Sequence, residues 1–138
     1  MLKLLDRLIP WLSVDDIGML FAFITHEKRQ YVELKAEICD VILRHMERTP
    51  AVADNVNSVC DTSLLISFLD MPSERMRLSF LKMIGVLLAQ SPVVGRAMMT
   101  KIAGFDAIWL FLAPFPVTAD LCDVLLRIGS REKNRWWC

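Results

Sequence analysis

The sequence predicts an all-α fold in which similar groups of helices follow one another along the chain. Apolar residues recur with the period of an α-helix over several segments. Alternation of apolar and polar residues never extends beyond a few positions, and neither Asn-Gly nor Asp-Gly, the strongest hairpin signals, occurs. The third observation is that prolines and apolar positions return after 42 residues.

A shift of 42 residues aligns the chain with itself. It superposes pairs that end in proline: Thr49-Pro50 on Ser91-Pro92, and Met71-Pro72 on Ala113-Pro114. It also superposes the apolar stripe of the helix before the first pair: Leu34, Ile38, Val41, Ile42, His45 and Met46 on Met76, Phe80, Met83, Ile84, Leu87 and Leu88. We therefore interpret residues 31–72 and 73–114 as two copies of one structural unit.

Residues 1–30 are expected to form N-terminal helices ahead of the first unit. A short amphipathic helix is predicted over 2–12, with Pro10 near its end. Ser13, followed three residues later by Asp16, predicts the start of the next helix, because each side chain can bind the other residue's free backbone N–H. The apolar stripe of that helix is Ile17, Leu20, Phe21 and Ile24.

Each unit is predicted to contain three helices, the first of them at about 31–48 and 73–90. The hydroxyl residue that follows, Thr49 or Ser91, can accept hydrogen bonds from the free N–H groups of the second helix. The proline after it suits the first turn of that helix, because proline lacks the N–H that would be unpaired there.

The second helix is expected to end near Asp61 in one unit and at Gly104 in the other, where glycine can adopt the left-handed conformation. A short third helix follows, "SLLISFLD" in the first unit and "FDAIWLFL" in the second. The proline shared by the two units is expected to close it, because proline disfavours helical geometry at the residue before it.

A third unit is predicted over 115–130 and is incomplete. Thr118 is expected to cap its helix and Gly129 to end it. The remaining residues, 131–138, are predicted to be a charged tail that closes on Trp136, Trp137 and Cys138.

A repeated three-helix unit of about 40 residues is typical of armadillo and HEAT-like α-solenoids, in which each unit packs against its neighbours. We therefore predict that residues 1–138 form a single α-solenoid domain of stacked helices with a repeat of about 42 residues. Such stacks need several units and polar caps at both ends. Because this chain has barely three units, we expect it to be a fragment of a longer protein or to be covered by a partner.

The composition also favours a further interface. Hydrophobic residues make up 54% of the chain, its mean hydropathy is +0.40, and charged residues make up 23%. Such an apolar surplus favours contact with a partner, with another copy or with missing parts of the same chain. The net charge is zero, which argues against nucleic acid as a ligand.

The charges are unevenly distributed. Residues 1–70 hold 7 Lys/Arg and 11 Asp/Glu, whereas residues 71–138 hold 9 and 5. From Arg75 to Lys101 there are five basic residues and no acidic one. This asymmetry is compatible with ordinary solvated helix faces, with head-to-tail contact between copies, or with an acidic partner.

The cysteines show neither a C-x-x-C pair nor a zinc spacing: Cys39, Cys60, Cys122 and Cys138. Cys39 and Cys122 lie in apolar helical patterns, so we expect buried free thiols of the kind found in a reducing cytosol. No signal peptide is predicted, and the longest apolar run is too short and too interrupted to cross a bilayer. The expected location is cytoplasmic, or peripheral to membranes.

No catalytic or metal site is predicted. The segment "HEKRQ" begins like the zinc motif H-E-x-x-H, but Gln30 stands where the second histidine is required. Asp15 and Asp16 point about 100° apart on a helix, so they suit a helix N-terminus better than an acid–base pair. The five glycines include no phosphate-binding loop and no nucleophile elbow. The sequence therefore predicts no enzyme, no cofactor and no small-molecule substrate.

A basic run provides the first candidates for binding a partner: Arg75, Lys82, Arg96 and Lys101. These residues would suit an acidic protein segment or an anionic lipid surface. Nucleic acid is disfavoured, because the nearby aromatic residues, Phe80 and Trp109, occupy core-type positions rather than positions suited to base stacking.

His45, Trp136 and Trp137 complete the candidates. The repeat places His45 where its counterpart is Leu87, which favours a hydrogen-bonded histidine in the core or lining a groove. The tryptophan pair would suit an anchor at a membrane surface or packing against the last helix, or it is a remnant left by truncation of a longer chain.

Three successive segments, "SERMRLSFLKMIGVLLAQSP", "GFDAIWLFL" and "TADLCDVLLRIG", carry a family resemblance. Together, over residues 73–129, they resemble the helical, armadillo-like region of large BEACH-domain proteins, the neurobeachin class. The resemblance implies a role in vesicle traffic and membrane scaffolding through a parent chain. The BEACH domain and its PH-like and WD-repeat neighbours are absent from this sequence, and no functional residue of the family carries over.

The sequence thus predicts a non-catalytic protein–protein interaction module that presents a groove to a partner helix or an extended peptide. Two alternatives stay open at this point. One is a fragment that only self-associates, and the other is a membrane-surface adaptor that uses the basic run and the terminal tryptophans.

Overall fold

The computed structural model describes residues 2–90, 92–101 and 103–131. Within these residues every regular element is helical and no strand occurs, which confirms the predicted all-α class. The α-helices are α1 (Leu2–Leu8), α2 (Val14–Thr25), α3 (Val32–Arg48), α4 (Pro50–Val59), α5 (Thr62–Ser67), α6 (Glu74–Gln90), α7 (Pro92–Lys101), α8 (Gly104–Leu112) and α9 (Ala119–Arg131). A 3-10 helix at Ile9–Trp11 lies between α1 and α2.

Helix positions recur along the chain. α3 and α6 are both 17 residues long, and their first residues, Val32 and Glu74, are 42 positions apart. α4 and α7 are both 10 residues long and begin at Pro50 and Pro92, again 42 apart. α5 and α8 also begin 42 positions apart but differ in length, with 6 and 9 residues.

Four helices, α1, α3, α6 and α9, form a row, and the other helices pack along it. α3 packs between α1 and α6, and α6 packs between α3 and α9. The shorter helices lie beside this row: α4 packs on α2 and α3, α5 on α6 and α8, and α7 on α6 and α8. One continuous hydrophobic core therefore runs from Ile9 to Ile128, with α3 and α6 at its centre.

The predicted apolar stripes are the core-facing sides of α3 and α6. In α3 the residues Ile38, Val41, Ile42 and Met46 are buried, while Leu34 is half-buried. In α6 every residue of the predicted stripe is buried: Met76, Phe80, Met83, Ile84, Leu87 and Leu88. Helical spacing therefore identified one buried side of both long helices, which also bury residues outside the predicted stripes.

The predicted start of α2 is confirmed. The Ser13 hydroxyl accepts a hydrogen bond from the Asp16 N–H at 3.2 Å, and the Asp16 carboxylate accepts one from the Ser13 N–H, also at 3.2 Å. Ile17, Phe21 and Ile24 are buried beneath this helix and Leu20 is half-buried. The reciprocal pair satisfies two N–H groups that the helix cannot pair internally.

The cap of the first unit's second helix differs from the prediction. Thr49 precedes α4, but its side chain makes no capping hydrogen bond there. The end of α4 at Val59 agrees with the predicted end near Asp61, and the Asp61 carboxylate caps α5 by accepting from the Leu64 N–H at 3.0 Å. The predicted Thr49 cap is therefore wrong, whereas Asp61 caps the following helix as an aspartate at a helix start commonly does. Ser91 lies outside the described residues.

Two predicted glycine stops are wrong. Gly104 is the first residue of α8, and Ala103 adopts the left-handed conformation before it, with φ 50°. The absence of a side chain at Gly104 matters for packing, since a Cβ there would collide with the Met99 thioether. Gly129 lies inside α9, which continues to Arg131. A single glycine costs a helix only about 1 kcal/mol, which is insufficient to end it. Thr118, in contrast, caps α9 as predicted, accepting from the Leu121 N–H at 3.2 Å.

Two buried cations occupy equivalent places in the two units. Lys35 is 1% exposed, and its ammonium donates to the main-chain oxygens of His26 and Glu27, just beyond α2. Arg77, 42 positions later, is 8% exposed and donates to the Met71 oxygen at 2.7 Å, just beyond α5.

Each of these cations also lies over an aromatic ring. Lys35 Nζ is 5.4 Å from the centre of the Phe23 ring, and the Arg77 guanidinium is 3.8 Å from that of Phe115. Burial lowers the pKa of Arg77 from its ordinary value, and the carboxylate of Glu74 opposes that shift. Each side chain therefore ties a loop to the first turns of the long helix that follows it.

Replacing Lys35 by methionine is expected to destabilise the protein, because two carbonyl groups would lose a charged donor at a buried position. The expected loss in the free energy of unfolding is about 2–4 kcal/mol, measured by urea denaturation. The exposed Lys101 provides a matched control, since Lys101→Met removes the same charge and should change stability by less than about 0.5 kcal/mol. Equal effects of the two variants would contradict the buried role of Lys35.

Replacing Gly95 by alanine is also expected to destabilise the protein. A Cβ at Gly95 would lie 2.8 Å from Leu88 Cδ2 and 3.2 Å from Leu88 Cα, where α7 crosses α6. The resulting strain exceeds the gain in helix propensity, so we expect a net loss of about 1–2 kcal/mol in thermal or urea unfolding. Gly18→Ala is the control, because its Cβ would meet Val59 at an ordinary 3.5 Å. That variant should be neutral or slightly stabilised.

Candidate functional site

The candidate site is a shallow groove on the outer side of the row of long helices. One part of it, of about 140 Å³, lies where α3, α6 and α9 meet, and is lined by Glu47, Lys82, Gly85, Val86, Val124, Arg127 and Ile128. A second depression of about 300 Å³ adjoins it through Glu47 and Val86, and is also lined by Met46, Pro50, Ala89 and Gln90. We call the two together the α3–α6–α9 groove.

The groove has an apolar floor and a charged rim. Val124 and Ile128 are buried and Val86 is half-buried, whereas the side chains of Lys82 and Arg127 reach solvent. Arg127 is also bound to Asp123 on its own helix, with 3.0 Å between Nη2 and Oδ2. An apolar floor edged by charges of both signs is the arrangement that accommodates one face of an amphipathic helix.

Lys82 is the predicted binding residue that the structure places in this groove. It is exposed on α6 and projects beside the apolar floor. Arg75 lies two turns earlier on the same helix but belongs to a different depression. Its Nε donates to the Asp40 carboxylate at 2.7 Å, and Asp40 also accepts from the Ser79 hydroxyl at 2.7 Å. Arg75 therefore links α6 to α3 rather than standing unopposed.

The depression around Arg75 is charge-balanced. It has a volume of about 310 Å³ and lies between α1, α3 and α6, where it is lined by Leu2, Lys3, Asp6, Glu37, Asp40, Val41, Arg44 and Arg75. Asp6 binds Arg44 at 3.2 Å. Its acidic and basic groups form ion pairs between helices. This surface therefore holds α1, α3 and α6 together and is poorly suited to binding an anion.

His45 links α1 to α3. Its Nε2 lies 2.9 Å from the Asp6 carboxylate, and its side chain is 13% exposed. The sequence predicted a hydrogen-bonded histidine at this position, and the structure places it against α1 rather than in the groove. Lys101 is exposed at the end of α7 and lines neither depression. The side chain of Arg96, and all of Trp136 and Trp137, lie outside the described residues.

Two sequence predictions of burial are wrong. Cys122 is exposed, because α9 packs on α6 through Leu121 and Val124, and the residue after Leu121 points away from that contact. Trp109 was assigned to a core-type position but is 53% exposed, since α8 packs inward through Ile108. In both helices the apolar pattern is wider than the surface that the neighbouring helices cover.

The two buried thiols are held in the protonated form. Burial raises the pKa of Cys39 to about 12, and the neighbouring Asp40 carboxylate adds to the shift. Burial likewise raises the pKa of Cys60 to about 12, with a further contribution from Asp61. Neither thiol is therefore a competent nucleophile at neutral pH, since the thiolate is the reactive form.

Sequence reasoning missed the buried cations Lys35 and Arg77. The sequence does contain a signal for them, because the 42-residue shift aligns Lys35 with Arg77, two basic residues within apolar helical patterns. It also missed the groove itself, because a groove depends on which helices meet and not on the pattern within any one of them. Only Lys82, predicted from the basic run, lies on its rim.

Among the described residues, no His, Cys, Asp and Glu side chains cluster in a way that could hold a metal ion. None of the helices in the described part of the chain is sufficiently long and apolar to cross a lipid bilayer.

Comparison of the chain with protein-family models, with curated proteins and with solved structures finds no match. The resemblance to the BEACH-domain class stays a prediction.

Thiol alkylation provides a direct check of this surface. At about pH 8, iodoacetamide should modify Cys122 in the folded protein while sparing Cys39 and Cys60, because the buried thiols are both inaccessible and protonated. Peptide mass spectrometry would locate the label. Urea-unfolded protein is the control, and Cys39 and Cys60 should then react as well. Rapid modification of Cys39 or Cys60 in the folded chain would contradict the described core.

Proposed function

We propose that this chain is a non-catalytic interaction module, an armadillo or HEAT-like stack of helical units that binds an amphipathic partner helix. The observation that carries the proposal is the α3–α6–α9 groove, with its apolar floor at Val86, Val124 and Ile128 and its basic rim at Lys82. Helix-in-groove binding uses this combination: apolar residues on one face of the ligand enter the groove, and charges on its flanks set the orientation.

The recurring helix positions support the stacked arrangement. The three helices of residues 31–72 and those of residues 73–114 start at equivalent places, and Lys35 and Arg77, 42 positions apart, each bind main-chain oxygen in the loop before their helix. α1, α3, α6 and α9 also contact one another in chain order. A solenoid built from such units presents extended surfaces along its row of helices, which is how repeat proteins bind other proteins.

The partner that fits the groove carries an acidic residue beside its apolar face. Lys82 is exposed on the groove rim, and a carboxylate placed there would complete an ion pair at the edge of an apolar contact. Glu47, which lines the same groove from α3, would disfavour a second acidic group beside it and so set the direction of the bound helix. The resemblance to the BEACH-domain class suggests a scaffold in membrane traffic as the setting for such binding.

Synthetic amphipathic peptides would test the proposal. Acidic and basic helical peptides of equal length and equal apolar face would be titrated against the protein by fluorescence anisotropy. We expect the acidic peptide to bind, and Lys82→Glu to weaken its binding by about 3- to 10-fold, because a rim ion pair becomes a repulsion.

Lys101→Glu is the matched control for this experiment, since it makes the same charge change at an exposed site outside the groove. It should leave the affinity for the acidic peptide unchanged. Equal losses for the two variants would show a general charge effect in place of the groove. Absence of binding by any peptide would overturn the proposal.

A further inference from the structure

α9 presents one buried and one exposed face. It packs on α6 through Leu121, Val124 and Ile128, which are all buried. The opposite side is exposed and comprises Ala119, Cys122, Asp123, Leu126 and Arg127. We call this set the outer face of α9. Leu126 lies at its centre and is 67% exposed.

The outer face of α9 corresponds to core positions in both earlier units. Shifting back by 42 residues places Leu126 on Ile84, and by 84 residues on Ile42; both isoleucines are buried. The same shift places Cys122 on Phe80, which is buried against the ring of Phe68. On α6 this face packs against a shorter helix of the preceding unit, α5, whose following residue Phe68 lies on Phe80. Among the described residues, no such helix covers it on α9.

The charges on this face indicate what would cover it. Asp123 and Arg127 stand where α6 has Leu81 and Gly85, and they form an ion pair one turn apart. When two copies of such a helix cross in antiparallel orientation, Asp123 of each copy meets Arg127 of the other, and the leucine lies between the two ion pairs. The face is therefore complementary to itself, as the two-fold contact of a homodimer requires.

We propose that the outer face of α9 is a self-association surface, through which two copies of the chain pair α9 against α9 in antiparallel orientation. The pairing would give α9 a helical neighbour on this face, as α3 has a neighbour in α4 and α6 has one in α7 within the chain. The inference rests on the proposed function, since the equivalence of α9 with α6 belongs to the stacked arrangement. A single helix pair buries less than about 1,200 Å², so the dimer is weak and reversible.

Sedimentation velocity over a concentration series tests the dimer. Wild-type protein should move reversibly from monomer to dimer as its concentration rises, and Leu126→Glu should stay monomeric over the same range. Val93→Glu is the matched control: Val93 is 74% exposed on α7, and its counterpart in the first unit, Ala51, is exposed as well. It should dimerise like wild type. Circular dichroism would verify that each variant is folded.

Charge reversal tests the orientation. Arg127→Asp and Asp123→Arg should each abolish the dimer, because like charges then face each other across the two-fold axis. Mixing these two variants should restore a mixed dimer, and combining both changes in one chain should restore the homodimer. Alkylation of Cys122 should slow as the wild-type concentration rises, because the dimer covers it.

A wild-type protein that stays monomeric throughout would overturn the proposal, as would a dimer that every α9 variant leaves intact. A dimer lost in Leu126→Glu but not restored by mixing the charge variants would overturn the antiparallel arrangement. Peptide binding by Leu126→Glu separates this inference from the proposed function, since Leu126 does not line the groove. If the wild-type protein stays monomeric at every concentration but binds the acidic peptide through Lys82, the self-association surface alone is wrong.

Discussion

The arrangement of the long helices depends on two buried cations that fix where the chain turns into them. Lys35 and Arg77 each reach back from the second turn of a long helix to main-chain oxygens of the preceding loop. A buried charge is tolerated only when its donors are satisfied, so the loop has little freedom to move away. Because α3 and α6 carry the contacts to the other helices, fixing their starts also fixes the row from α1 to α9.

The sequence correctly predicted those features that depend only on the spacing of residues within one helix or one turn. The stripe of α6, from Met76 to Leu88, is buried because helical periodicity places its members on one face. The cap at Ser13 is correct because it needs only two residues of one turn. The 42-residue shift located the starts of three helix pairs for the same reason, since prolines and apolar residues mark helix boundaries locally.

The sequence did not predict the features that depend on which helices pack against each other. Cys122 and Trp109 belong to apolar patterns, yet they are exposed, because a pattern does not reveal whether a neighbour covers it. Gly104 was assigned to a turn, whereas its small size matters for the approach of Met99. Of the candidate site, the sequence identified Lys82 but not the floor beside it, since Val86 and Ile128 come together only when α6 and α9 pack.

The two proposed surfaces share one helix, which has a physical consequence. Arg127 lines the groove and also pairs with Asp123 on the outer face, so its guanidinium lies at the boundary between them. In the proposed dimer that guanidinium is drawn toward Asp123 of the other copy and away from the groove rim. A ligand that needs Arg127 in the groove would then weaken the dimer, and by reciprocity the dimer would weaken that ligand to the same degree. Binding and self-association would thus be coupled through a single side chain.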